Sequence, residues 1–186
     1  GVSSQEMFAP VLSLLREHPS HYIGNDPKAF CRCRLCRNAN VLPFRRTPAE
    51  KRANWLRLEE VARELGLPIS PAHGTLLGLF RDGDFIPWDY DIDFLVPTAV
   101  SPTLYSGMET FVDAGFIPYR FRNWGLSFRR GREYQDASHY VPDDPFYGDL
   151  VTRELGGLTV LIPRDTPGYL EKHFGPDWET PNRRWR

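Results

Sequence analysis

Gly74-Thr75-Leu76-Leu77-Gly78-Leu79-Phe80-Arg81-Asp82-Gly83-Asp84-Phe85-Ile86-Pro87-Trp88-Asp89-Tyr90-Asp91-Ile92-Asp93 is the stretch on which the reading of this chain turns. Its first half reads as a tight turn entering a short helix, which Asp82-Gly83 then ends. Its second half runs on into Phe94-Leu95-Val96 and alternates as a strand does, so Asp91 and Asp93 project from one face while Ile92, Phe94 and Val96 take the other. Two carboxylates so placed repel one another and lose hydration, a cost usually tolerated where a cation neutralises them. Oxygen-only ligands favour magnesium or manganese. Asp89 adjoins the same face if the strand begins early, binding metal directly or through water. A solvated acidic strand edge is the bland reading of the same triplet. Just upstream, Gly74 lets backbone N–H groups approach a phosphate, the helix start offers a partly positive end, and Thr75 adds a hydroxyl. An anion seat therefore precedes a cation seat.

Working outward, Thr47-Pro48-Ala49-Glu50 has the composition of a helix start, with Thr47 as cap, Pro48 in the first turn and Glu50 closing a capping box. Trp55, Leu58, Ala62 and Leu65 form the stripe of that helix, and Gly66 stops it. Ser101-Pro102 opens a helix ending near Gly115. Strands are expected over residues 116–121, 126–130, 133–140 and 158–162, with Gly131-Arg132 as a hairpin turn between the second and third. Thr166-Pro167 begins a last helix, which Gly175 stops. Helices come first and strands mixed with helices follow, without strict βαβ alternation, so the expected class is α+β with a mixed sheet flanked by helices.

The chain has 186 residues, the size of one domain, with 41% hydrophobic and 25% charged residues, which excludes a fibrous repeat and wholesale disorder. A formal net charge of -1 gives no global attraction to nucleic acid, and no nucleic-acid partner is expected. No apolar run approaches the roughly 20 residues of a membrane span. The chain starts at Gly1 without Met, which leaves room for an upstream leader or anchor. Residues 1–46 divide from the rest as a packing helix over residues 6–18 followed by an irregular, Cys-containing segment; residues 47–186 read as the catalytic domain.

With these residues in view, Gly74-Thr75-Leu76-Leu77-Gly78, Arg81 and the run from Phe85 to Asp93 resemble the signature of the LicD and fukutin-related family. Tyr169-Leu170-Glu171-Lys172-His173-Phe174-Gly175, with Asp177-Trp178 and Pro181, resembles that family's closing segment. The resemblance implies a nucleotidyltransferase-like (polymerase-beta-like) fold and transfer of a phosphate-linked group, of the phosphocholine or polyol phosphate type, from a CDP-activated donor to a sugar hydroxyl of a glycan or glycolipid. It implies that Asp91 and Asp93, with Asp89 beside them, are the catalytic carboxylates and bind magnesium. A further acidic ligand from a later strand is expected at Asp136, with Asp149 as the alternative. Arg81 can fork onto a phosphate oxygen, or serve in a surface ion pair. Trp88 and Tyr90 can stack on a base or sugar, or belong to the core. His73 as a phosphate-orienting group and His139 as a base each stand against a structural reading. Arg129 and Arg130 point to opposite strand faces, so at most one meets the site.

Cys31, Cys33 and Cys36 offer three thiolates, and His18 or His21, the latter the nearer, is close enough in sequence to complete a tetrahedral structural zinc site. A disulfide with one free thiol, or three reduced thiols, fits the same spacing. A secretory-pathway (Golgi) lumen and a bacterial cytoplasm both remain open as compartments. Two other function classes stand beside the first: a nucleotidyltransferase adding a nucleoside monophosphate to a small molecule or protein, and a non-catalytic binding module whose acidic triplet holds a structural cation.

Overall fold

Thr47 accepts a hydrogen bond on its side chain from the Glu50 N–H, the N-cap that the sequence predicts, and the helix it opens runs Pro48–Glu64 (α1). The computed structural model describes residues 47–122, 125–131 and 133–181, so the helix expected at 6–18 and the cysteine cluster with His21 lie outside the described residues. After α1 come Ser70–Pro71 (β1), His73–Arg81 (α2), Ile92–Pro97 (β2), the short helices Ser101–Ser106 (α3) and Met108–Asp113 (α4), Ile117–Arg122 (β3), Gly125–Arg130 (β4), Glu133–Tyr140 (β5), Leu150–Leu155 (β6), Leu158–Pro163 (β7) and Thr166–Phe174 (α5).

The sheet is mixed. Five strands lie in the order β1-β2-β5-β4-β3, with β2 and β5 parallel and the other neighbours antiparallel. Strands β6 and β7 form a separate antiparallel pair. The class is therefore α+β with a mixed sheet flanked by helices, as the sequence reading expects. Two details differ from that reading. The helix expected from Ser101 to near Gly115 is broken at Gly107, a poor helix former, into α3 and α4. Strand β6 has no apolar alternation, since its middle residues are exposed; it exists by pairing with β7 rather than by its own pattern.

Burial explains why the central stretch folds as it does. Ile92, Phe94 and Val96 are wholly buried on one face of β2. Phe128 of β4 stacks on Phe111 of α4 at 4.8 Å between ring centroids, and Phe116 meets both edge-on. Trp55 and Leu58 bring α1 into the same cluster. Helix α2 is held against its own exit loop, because the Gly78 position comes so close to that loop that an added Cβ would stand 2.7 Å from the Asp84 carbonyl and 2.9 Å from an Ile86 side-chain carbon. Glycine at 78 is required by this approach.

Gly78→Ala should therefore destabilise the fold by about 1–3 kcal/mol, the usual range for forcing a methyl group into a packed site. Gly74→Ala should cost less, since its Cβ would meet the carboxylate end of Asp89, which can rotate away. Paired urea titrations measure the difference, and equal losses at the two positions would contradict the backbone argument.

Candidate active site

The parallel register of β2 and β5 sets Asp93 directly beside Asp136, and Asp91 sits one residue ahead of β2. Ligand oxygens of Asp91, Asp93 and Asp136 lie within 4.8 Å of one another, the one such cluster of His, Cys, Asp or Glu found among the described residues. Asp91 is buried and the other two half-buried. Burial first, then Asp136 and Asp89, push the Asp93 carboxyl up to about 8, with Lys51 opposing. Burial likewise raises Asp91 well above the usual carboxylate range, and Asp93 and Asp89 add to it. Three carboxylate oxygens crowded in this way are a donor set that suits a hard divalent cation such as magnesium or manganese.

Asp89 does not join that group. Its carboxylate lies over Gly74 at the start of α2, where a Cβ added to that glycine would clash with Oδ2, and its Oδ1 accepts from the Tyr90 N–H at 3.0 Å. The bare face of Gly74 thus admits a carboxylate of this chain. Asp89 still bears on the site through its charge, which raises both Asp91 and Asp93.

Thr75, expected to line an anion seat, is buried, and its Oγ1 accepts from the Asp93 N–H at 2.9 Å. It ties the start of α2 to the residue that carries the second carboxylate. Arg81 is displaced from its expected role by helix geometry: eight residues beyond His73, at about 1.5 Å each, put it near 12 Å along the axis from the α2 N-terminus. There it forks onto Asp82 at 2.8 and 2.7 Å and donates to the Trp178 carbonyl at 3.2 Å. Arg81 is a strut between α2 and the closing segment. Trp88 packs half-buried against the core, whereas Tyr90 is exposed. Asp91 and burial hold the Tyr90 phenol at about 12, so it stays protonated. Asp149 pairs with Arg164 on the surface, at 2.7 Å, which leaves Asp136 as the later-strand acid.

His139 accepts or donates across 3.2 Å to the Tyr105 hydroxyl, a packing role. His73 is more unusual. It is a non-glycine residue at φ 45°, its N–H donates to the Tyr169 hydroxyl at 3.1 Å, and its ring meets His173 at 5.4 Å. Burial, and then His173, lower its pKa, so it is neutral at pH 7. Of the two strand arginines, Arg130 is engaged with Asn54 at 2.6 Å and with the Ala114 carbonyl at 3.0 Å, away from the carboxylates.

Lys51 is the residue that sequence reasoning missed. On the buried face of α1, it donates to the Asp91 carbonyl and lies 3.5 Å from Glu133, both side chains 1% exposed. Its charge lowers Asp91, Asp93 and Glu133 alike. Removing one partner of such a pair commonly costs about 3–5 kcal/mol, because the other charge is stranded. A lysine in the first turn of an otherwise amphipathic helix gives no local sign of this partnership.

The profile described as "LicD/FKTN/FKRP, nucleotidyltransferase domain" matches residues 66–130. No curated protein matches the sequence significantly. Among solved structures, the chain is similar to the solution structure of the antibiotic-resistance factor ANT(2'')-Ia, with TM-score 0.51 and 17% identity over 63% of this chain, and it spans 66% of that one. It is similar also to the crystal structure of ANT(2")-Ia in complex with adenylyl-2"-tobramycin, with TM-score 0.51 and 18% identity over 72% of this chain and 80% of that one. At such identities the likeness establishes the nucleotidyltransferase fold.

A carboxyl raised in the folded state stabilises the fold fully below its unfolded value of 3.8, and that contribution is lost as pH rises through about 8. The metal-free chain should accordingly lose stability between about pH 5 and about pH 8.5. Asp93→Asn should lose less over the same window, by at least about 1 kcal/mol, since one pKa unit is about 1.4 kcal/mol. Urea unfolding in chelator at both pH values measures this; identical pH dependence in the two proteins would refute the repulsion.

Proposed function

We propose that this chain, whose residues 66–130 match the LicD/FKTN/FKRP nucleotidyltransferase-domain profile, is a metal-dependent transferase. It moves a phosphate-linked group from a CDP-activated donor to a sugar hydroxyl of a glycan or glycolipid. The observation that carries the reading is the convergence of Asp91, Asp93 and Asp136 within 4.8 Å. Magnesium or manganese held by these three would neutralise charge on the donor diphosphate and acidify the acceptor hydroxyl.

The chain's own residues set the frame for that chemistry. Thr75 fixes the Asp93 backbone and Lys51 the Asp91 carbonyl, so the two carboxylates are positioned before any ligand arrives. In the transfer, the acceptor oxygen bonds to the distal phosphorus as the bond to the bridging oxygen breaks, and nucleoside monophosphate leaves. Asp89 lies next to the α2 N-terminus, where its negative charge would oppose a second anion, so donor phosphate is directed toward the three-carboxylate side. Exposed Tyr90 offers a stacking face for base or sugar at the rim.

A second reading follows from the solved-structure likeness: one of those structures holds an adenylylated tobramycin. Transfer of a nucleoside monophosphate to an acceptor would use the same carboxylates and release pyrophosphate.

Parallel incubations with CDP-linked or UDP-linked donors and with nucleoside triphosphates, each with acceptor glycans or small-molecule acceptors and magnesium and followed by mass spectrometry, separate the two. Nucleoside monophosphate as product supports the first reading, and pyrophosphate the second. Asp91→Asn and Asp136→Asn should each lower turnover at least about 100-fold, comparable to losing a preorganised charge-stabilising group. Full metal-dependent turnover by either variant would remove that residue from the site.

A further inference from the structure

Asp136 is half-buried on the middle strand of the sheet, and its carboxylate could rotate freely if nothing held it. It is held. The hairpin register of β4 and β5 sets Ser127 directly opposite Asp136, and the Ser127 hydroxyl donates to Asp136 Oδ1. The Tyr134 hydroxyl in turn donates to Ser127 Oγ at 3.0 Å. Ser127 is 3% and Tyr134 1% exposed. The direction of this chain is decided by its members: a hydroxyl has one proton, Ser127 gives it to the carboxylate, and its oxygen then needs a donor, which the phenol supplies.

Tyr134 and Asp136 are two residues apart on one strand and share a face, while Ser127 is the residue across the ladder that can reach both. A serine elsewhere on β4 would meet the opposite face or the wrong partner. The arrangement occupies Asp136 Oδ1 as an acceptor and leaves its other oxygen to face the cluster with Asp91 and Asp93.

We propose that Ser127 and Tyr134 are positioning residues that orient Asp136 as the third ligand of a divalent cation, Ser127 acting directly and Tyr134 through Ser127. This rests on the reading of the three carboxylates as a cation site. Hydroxyl partners of metal-binding carboxylates typically account for 10–100-fold in affinity.

The test is Mn2+ binding to the full chain without donor or acceptor, followed by electron paramagnetic resonance, so that affinity is read apart from turnover. Ser127→Ala should weaken Mn2+ binding about 10-fold and Tyr134→Phe about 3-fold, the lower end of that range for an indirect partner. Because Tyr134 acts through Ser127, the double variant should bind no more weakly than Ser127→Ala alone. Ser127→Thr, which keeps the hydroxyl, should restore binding to within about 3-fold of the parent. If the parent binds Mn2+ and Asp136→Asn abolishes it while Ser127→Ala binds as the parent does, the inference falls and the cation site stands. If the parent binds no Mn2+, the cation site itself falls and takes the inference with it. Additive losses in the double variant would overturn the relay. Should Ser127→Ala fail to fold, Tyr134→Phe decides: parental affinity there overturns the proposal.

Discussion

The whole site depends on one pairing, the parallel alignment of β2 and β5 that puts Asp93 beside Asp136. Neighbouring strands are about 4.8 Å apart, so a direct pair brings two carboxylates as close as separate chain segments can hold them. A slip of one residue would turn Asp136 to the helix side and replace it with Gln135 or Ala137. That slip is blocked by burial, since Ile92, Phe94 and Val96 on β2 and Ala137 on β5 are wholly buried. Core packing on one face therefore fixes electrostatics on the other.

Repulsion has to be offset from within the molecule. Lys51 provides part of this from behind the sheet, engaged at once with the Asp91 carbonyl and with Glu133, whose carboxyl burial raises to about 7. The offset is incomplete, as the raised Asp91 and Asp93 show. Uncompensated negative charge of this kind is what would draw a divalent ion to the cluster under the proposed function. Thr75, Ser127 and Tyr134 spend their hydroxyls on holding this unfavourable geometry in place.

Much of this was legible in the sequence where the signal is local. The N-cap at Thr47, the hairpin at Gly131, the strand through Asp93 and the last helix each follow from a few adjacent residues. Asp136 was reachable as the acid on a strand after a hairpin, and the same register would have shown Ser127 opposite it. Of the two roles the sequence leaves open for Arg81, the structure shows the ion pair with Asp82; its closeness to Gly74 in sequence is not closeness in space, because the nine-residue helix carries the two apart. Lys51 was invisible because its partners are 40 and 82 residues away, and a buried charge pair leaves no periodic trace.

A shared fold does not settle which group is transferred. The likeness to ANT(2'')-Ia, at 17–18% identity, shows the fold alone, and sites on one fold support different chemistries. What separates phosphate-group transfer from nucleotide transfer is which phosphorus the acceptor attacks: the distal one of a nucleoside diphosphate conjugate, releasing nucleoside monophosphate, or the α-phosphorus of a nucleoside triphosphate, releasing pyrophosphate. Here the α2 N-terminus, a natural anion site, is already faced by Asp89 of the chain itself. A phosphate placed there would meet the charge of that carboxylate. Under the proposed function Asp89 would help to orient a donor, because a cation would accept phosphate oxygens from several directions and a fixed negative charge disfavours them on one side.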